Sequence, residues 1–105
     1  MEENLGRIIA IDYGLKRVGI AVTDPLQIIA TSLTTIATPS LFLFLKDYLQ
    51  KESVVAFVMG MPKGLDGMPS KMSRAVEHIG MQLKKKFPAQ SFYYQDERFT
   101  SKLAM

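Results

Sequence analysis

Two acidic residues follow apolar, strand-like segments and could hold a cation between them. Asp12 comes after RIIAI (7–11), and Glu97 follows SFYYQ and Asp96. If these segments are strands of one sheet that run the same way, their carboxyl ends share an edge, and the carboxylates are forced together in a partly desolvated cleft. Like charges at such range need protonation or a cation, and Mg²⁺ or Mn²⁺ suits an all-oxygen site.

These acids also have ordinary structural interpretations. Asp12 precedes a glycine and could bond its own backbone at a strand end. Glu97 could be a helix N-terminal acid stabilised by the helix dipole. Asp24 and Asp96 are interpreted as turn or capping acids rather than ligands.

A loop rich in glycine and proline separates the two halves of the chain. GMPKGLDGMP (60–69) holds three Gly and two Pro, so neither a helix nor a strand can continue through it. Neither Gly60 nor Gly67 is followed by Lys-Ser or Lys-Thr, which excludes a Walker phosphate loop. Without other motifs the segment could equally be a generic turn.

Patterning predicts a mixed α/β sheet with flanking helices. Pro39 after an N-cap at Thr38 predicts a first helix, the spacing of apolar residues from Ser70 predicts a second, and Thr100-Ser101 would cap a third. The predicted strands are 7–12, 17–23, 28–36, 54–59 and 91–95. We expect the order 3-2-1-4-5, with the first three strands an antiparallel meander and the last two parallel to the first. Gly14 is predicted to take a positive φ in the first hairpin.

Composition limits the class of protein. At 105 residues, 48% hydrophobic and 22% charged, the chain is predicted to be one globular domain spanning 1–105. It has no Cys, and its acidic start lacks an apolar run, so a cytoplasmic protein without membrane segments is expected. The net charge of +3 permits a phosphate-bearing partner such as nucleic acid without demanding one.

Three segments together resemble a known family. IDYGLKRVGIAVTDP, GMPKGLDG and the closing DERFTS, in that order, resemble the YqgF/RuvX family of ribonuclease H-like nucleases. That family is described both as Holliday junction resolvases and as pre-16S rRNA processing nucleases. The resemblance extends from Arg7 to the last residue.

The resemblance implies roles for particular residues. Asp12 and Glu97 match metal-binding, catalytic acids of a two-ion Mg²⁺ or Mn²⁺ site, and the implied reaction is phosphodiester hydrolysis in an rRNA precursor or branched DNA. The implied substrate-binding residues are Lys16, Arg17, Gly60, Pro62, Gly67, Arg98, Thr100 and Ser101. The family pattern has a further Asp on a later C-terminal helix, so the chain is expected to be truncated and to self-associate through the sheet face that this helix would cover. Without that acid, the 105 residues alone are expected to show little or no nuclease activity.

Two rival functions stay open. A non-catalytic nucleic-acid-binding domain would keep the fold with an incomplete set of acids. A fragment of an actin/Hsp70-type ATPase would share the Asp-x-Gly turn, but it would need a second lobe and has no counterpart of DERFTS.

Overall fold

Five β-rich segments form one mixed sheet. The computed structural model describes residues 6–61 and 71–96. The strands are β1 (Arg7–Tyr13), β2 (Arg17–Thr23), β3 (Ala30–Ala37), β4 (Val54–Met61) and β5 (Ser91–Asp96). Helix α1 spans Leu41–Lys51 after a 3-10 turn at Thr38–Ser40, and helix α2 spans Lys71–Lys86.

The strand order is β3-β2-β1-β4-β5, which confirms the predicted topology. β2 pairs antiparallel with both β1 and β3, and β4 pairs parallel with both β1 and β5. This is the ribonuclease H-like arrangement that the sequence predicts. The carboxyl ends of β1, β4 and β5 therefore lie side by side.

The apolar core occupies one face of this sheet, where both described helices pack. Alternate residues of the central strands point toward the helices, as the period of two in a strand requires. The core comprises Ile9, Ile11, Val18, Ile20, Val22, Leu41, Leu45, Val54, Phe57, Met59, Val76 and Leu83. We call this side the helix face, and the opposite side the open face.

β3 begins two residues later than predicted, because Asp24 forms hydrogen bonds with the backbone of the residues just before β3. The Asp24 carboxylate accepts hydrogen bonds from the backbone N–H groups of Leu26 (3.0 Å), Ile28 (2.9 Å) and Ile29 (2.7 Å). Those N–H groups are thereby satisfied by a turn rather than by the ladder. The interpretation of Asp24 as a turn acid is confirmed.

Two local predictions about the first hairpin and the first helix are wrong. Gly6 is the only glycine with a positive φ in the described ranges, so Gly14 does not need one. Glycine suits position 14 for a steric reason, since a Cβ there would lie 2.5 Å from the Arg17 carbonyl oxygen. Thr38 does not cap α1, because its hydroxyl donates to the Gly14 carbonyl oxygen at 2.7 Å.

Within the described ranges no helix is long and apolar enough to cross a membrane. The helix predicted at Thr100-Ser101 lies outside those ranges. Self-association through the open face stays a prediction.

Candidate active site

Asp12 lies at the centre of a row of residues that crosses the whole sheet on its open face. In the β1–β2 ladder Asp12 is opposite Gly19, and Gly19 is opposite Thr35 in β3. On the other side Ile11 pairs with Met59, which places Asp12 beside Gly60, and Gly60 pairs with Gln95 in β5. The carboxylate thus has a glycine on each side and a neutral polar residue beyond each glycine.

The flanking glycines leave the Asp12 carboxylate in the open. The residue is exposed, and its carboxylate makes no hydrogen bond or ion pair with any residue of 6–61 or 71–96. The described residues therefore do not bury Asp12, and the expected cleft, whose other acid and loop lie outside the described ranges, stays a prediction. Asp12 is exposed because its two lateral neighbours carry no side chain to cover it and neither described helix packs on this face.

A shallow groove of about 620 Å³ follows the row. Its walls come from all five strands, and small side chains predominate on its floor. The lining residues are Ala10, Ile11, Asp12, Gly19, Ile20, Ala21, Ser32, Thr34, Thr35, Val58, Gly60 and Gln95. A cavity of this size and openness admits a hydrated ion together with a phosphate group.

The basic pair of the first hairpin lies at one end of this groove. Lys16 and Arg17 are exposed, and neither forms an ion pair in the part of the chain that the structure describes. They line a second cavity, of about 410 Å³, together with Thr35, Ile36 and Ala37. Unpaired cations of this kind suit a phosphate-bearing ligand.

Thr38 fastens this basic hairpin to the end of β3. Its backbone N–H donates to the Lys16 carbonyl oxygen at 3.0 Å, and its hydroxyl donates to the Gly14 carbonyl oxygen at 2.7 Å. The two bonds join the turn between β1 and β2 to the start of the 3-10 segment. Lys16 and Arg17 are therefore displayed from a hairpin whose backbone is fixed relative to Asp12 and β3.

Thr35 is a polar residue of the groove that the sequence did not reveal. The β2–β3 ladder shifts register between Ile20 and Ala21, where the pairs Ala21–Ser32 and Ile20–Thr34 leave Leu33 as an extra residue. This β-bulge turns Ile36 to the helix face, where it packs against the core, and Thr35 to the open face. Without the bulge, the alternation that starts at Ser32 would place Thr35 on the helix face and Ile36 on the open face. The alternation of side chains along the sequence therefore could not have assigned Thr35 to the site.

Several predicted site residues lie outside the described ranges. They are Glu97, Pro62, Gly67, Arg98, Thr100 and Ser101. The backbone just before Pro62 and Glu97 is described, because Met61 pairs with Asp96 at the carboxyl ends of β4 and β5. The chain therefore enters both segments from the sheet edge at which Asp12 lies.

Among the described residues, the groove is lined by one acid rather than by a complete ligand set. No group of three or more His, Cys, Asp or Glu that could hold a metal ion occurs within residues 6–61 and 71–96. Asp12 is the carboxylate that lines the groove, and the polar residues around it are neutral. Further charged ligands would have to come from elsewhere in the chain or from the substrate.

Known proteins resemble the chain over nearly its whole length. A family model described as "RuvX: Holliday junction resolvase" matches residues 6–105. The "Putative pre-16S rRNA nuclease" of Amoebophilus asiaticus is 50% identical over 100 residues, which cover 95% of this chain and 71% of that protein. Proteins of the same name are 46% identical in Christiangramia forsetii, over 96% of this chain and 75% of theirs, and 46% identical in Porphyromonas gingivalis, over 95% and 72%. The chain belongs to the RuvX family.

Proposed function

We propose that the chain is a nuclease that hydrolyses phosphodiester bonds of structured nucleic acid with the help of Mg²⁺ or Mn²⁺. Family membership and the names of the relatives support the reaction class. The observation that carries the proposal onto this chain is the exposed Asp12 carboxylate between Gly19 and Gly60, at the carboxyl end of the central strand. A substrate of either kind, rRNA precursor or branched DNA, would place the protein in the cytoplasm.

The residues present fit an ion that keeps most of its water. Mg²⁺ is commonly held by one or two carboxylates, with water and substrate phosphate completing its octahedron. Asp12 offers one exposed carboxylate that has no partner among residues 6–61 and 71–96, and the glycines leave room for bound water around it. We propose that Asp12 and Glu97 hold the metal, as a two-ion site that includes substrate phosphate oxygens. When bound, the ions would supply an activated water nucleophile and would stabilise the leaving oxygen.

The chain's own groups have separate tasks in this proposal. The Asp12 carboxylate would hold the cation that neutralises charge at the reacting phosphate. Lys16 and Arg17 bind substrate phosphates beside it, which adds affinity that decreases with salt. The proposed substrate contacts of the glycine-rich loop are Gly60, Pro62 and Gly67, and those of the DERFTS segment are Arg98, Thr100 and Ser101.

Two substrate classes follow from the relatives' names and the family description. One is the 5′ end of a 16S rRNA precursor, and the other is a four-way DNA junction. Both present the same phosphodiester chemistry to Asp12, and no described residue forms a base-reading motif that would separate them. Assays with both substrates, in Mg²⁺ and in Mn²⁺, would identify the preferred one.

The decisive experiment is Asp12→Asn. The amide keeps the size of the side chain but loses the charge that holds the ion, so the cleavage rate is expected to decrease by at least about 100-fold. Binding of the same nucleic acid should be no weaker, because Asp12 makes no phosphate contact in the proposal. Gel-based cleavage and fluorescence anisotropy measure the two effects, and Asp24→Asn is the matched control, since Asp24 serves a turn away from the groove.

Two results would contradict the proposal. Turnover of Asp12→Asn at the normal rate would place the chemistry elsewhere. Binding without any cleavage by the unmutated protein, in either metal and on either substrate, would instead support the non-catalytic nucleic-acid-binding domain.

A further inference from the structure

We propose that Thr35 is a substrate-positioning residue whose hydroxyl donates a hydrogen bond to a substrate backbone phosphate that the basic hairpin also contacts. The inference rests on the proposed function and names a contact that the sequence motifs do not include. The substrate strand would cross the open face from β3 toward β1, with Thr35 binding a phosphate that flanks the reacting one.

The position of Thr35 carries the first step of the argument. It lines both the groove that contains Asp12 and the smaller cavity that contains Lys16 and Arg17. A strand of nucleic acid that follows both cavities, across the open face from β3 toward β1, would therefore pass beside Thr35.

Spacing makes such a contact feasible. Thr35 and Asp12 lie in one row two strands apart, or about 10 Å between backbones, and Gly19 between them has no side chain to block the path. Arg17 pairs with Ala37, two residues along β3 from Thr35, so its backbone is about 8 Å away. The long side chain of Arg17 and the short one of Thr35 can thus reach the same phosphate.

The chemistry of the side chain carries the second step. Thr35 is exposed, and its hydroxyl has no hydrogen-bond partner in the described portion of the chain. A hydroxyl donates well to a phosphate oxygen and adds no charge. The bulge at Leu33 is what aims Thr35 onto this face, and bulges beside active sites commonly re-aim a side chain in this way.

Three variants test the proposal. Thr35→Val keeps the β-branched shape and removes the hydroxyl, so kcat/KM is expected to decrease about tenfold, close to the lower end of the range for a hydrogen bond to a charged group. Thr35→Ser should restore most of it. The matched control is Thr31→Val, at the same residue type in the same strand, because Thr31 pairs with the core residue Val22 and so lies on the helix face. It should leave kcat/KM unchanged.

Two readouts separate a phosphate contact from a structural effect. Thr35→Val should leave the salt dependence of binding unchanged, whereas Lys16→Ala should reduce its slope by about 1. In a set of substrates that each carry one neutral methylphosphonate, one position near the cleavage site should cost the unmutated protein more activity than it costs Thr35→Val. Normal kcat/KM in Thr35→Val, failure of Thr35→Ser to restore it, or equal sensitivity of both proteins at every position would overturn the proposal.

The Thr35 contact and the proposed function of Asp12 can fail independently, and the experiments tell the two failures apart. If Asp12→Asn cleaves normally while the Thr35 series behaves as expected, the assignment of Asp12 fails and the Thr35 contact stands. If the protein binds without cleaving, the same variants and methylphosphonates are compared by dissociation constant, with the same expected pattern. If it neither binds nor cleaves nucleic acid, both proposals fail.

Discussion

The two faces of the sheet are made by the same strands, yet they have opposite properties. Ile11 is 2% exposed and packs in the core, whereas the next residue, Asp12, is exposed in the groove. In β2, Ile20 is likewise buried, while its neighbour Gly19 faces the groove with no side chain. The helix face therefore provides stability, and the open face provides uncommitted groups at positions that this stability fixes.

This division has a consequence for substitutions. A change on the open face removes few packing contacts, so its effect should appear in binding or catalysis. A change on the helix face removes buried apolar surface or crowds a packed contact, so its effect should appear in the free energy of unfolding. Pairs of neighbouring residues on opposite faces make this contrast measurable.

The largest effect on stability is expected from Ile11→Ala. The truncation leaves a cavity under α1 and α2, and such a change typically costs about 2–5 kcal/mol of unfolding free energy. Urea denaturation followed by circular dichroism measures it. Asp12→Asn, one residue away, is the control and should change the unfolding free energy by less than about 0.5 kcal/mol. Similar losses in the two variants would show that the faces are not separate.

The sequence predicted the elements well because their patterns are local. β2 matches its predicted bounds, 17–23, and the neighbours of β1 on each side are as expected. The helical spacing of apolar residues also identified the buried side of α2, which carries Val76 and Leu83.

What the sequence missed depends on contacts between distant residues. Thr38 satisfies its hydroxyl on Gly14, 24 residues away, so its local capping signal was overridden. The bulge at Leu33 shifts the alternation of side chains in β3, so the alternation in the sequence could not predict that Thr35 lies on the open face. The exposure of Asp12 follows from glycines on two other strands, which only the strand register brings beside it.

A smaller effect is expected from Gly80→Ala, because Gly80 is the glycine of α2 that packs against β5. A Cβ there would collide with the Tyr94 hydroxyl and lie 3.0 Å from Cζ of Phe92. Overpacking of this kind outweighs the gain in helix propensity, so we expect a net loss of about 1 kcal/mol by urea denaturation. In a Tyr94→Ala background the same substitution should cost less, because the collision with the Tyr94 ring is gone and only the tighter contact with Phe92 opposes the propensity gain.

A matched glycine on the open face sharpens this test. A Cβ added at Gly19 would lie 3.6 Å from Cβ of Asp12, an ordinary van der Waals contact. Gly19→Ala should therefore leave the unfolding free energy nearly unchanged. Destabilisation by Gly19→Ala as large as that by Gly80→Ala would mean that the open face is packed.

The smallest effect concerns Asp24, an acid that is committed to structure, in contrast to the uncommitted Asp12. The backbone N–H of Ile29, with those of Ile28 and Leu26, lowers the pKa of Asp24 below its ordinary value of 3.8. Because the folded-state pKa is the lower one, the stabilisation is fully present above pH 3.8 and is lost as the pH falls through the lowered value.

Asp24→Asn loses one acceptor oxygen and the charge, so its Tm at pH 7 should be a few degrees lower, and the difference from the unmutated protein should shrink as the pH falls below 3.8. Thermal melts across this range test it, with Asp47→Asn on the exposed side of α1 as the control, whose surface pair with Lys51 at 3.5 Å contributes little. A Tm difference that stays constant to low pH would show that the charge of Asp24 does not stabilise the turn.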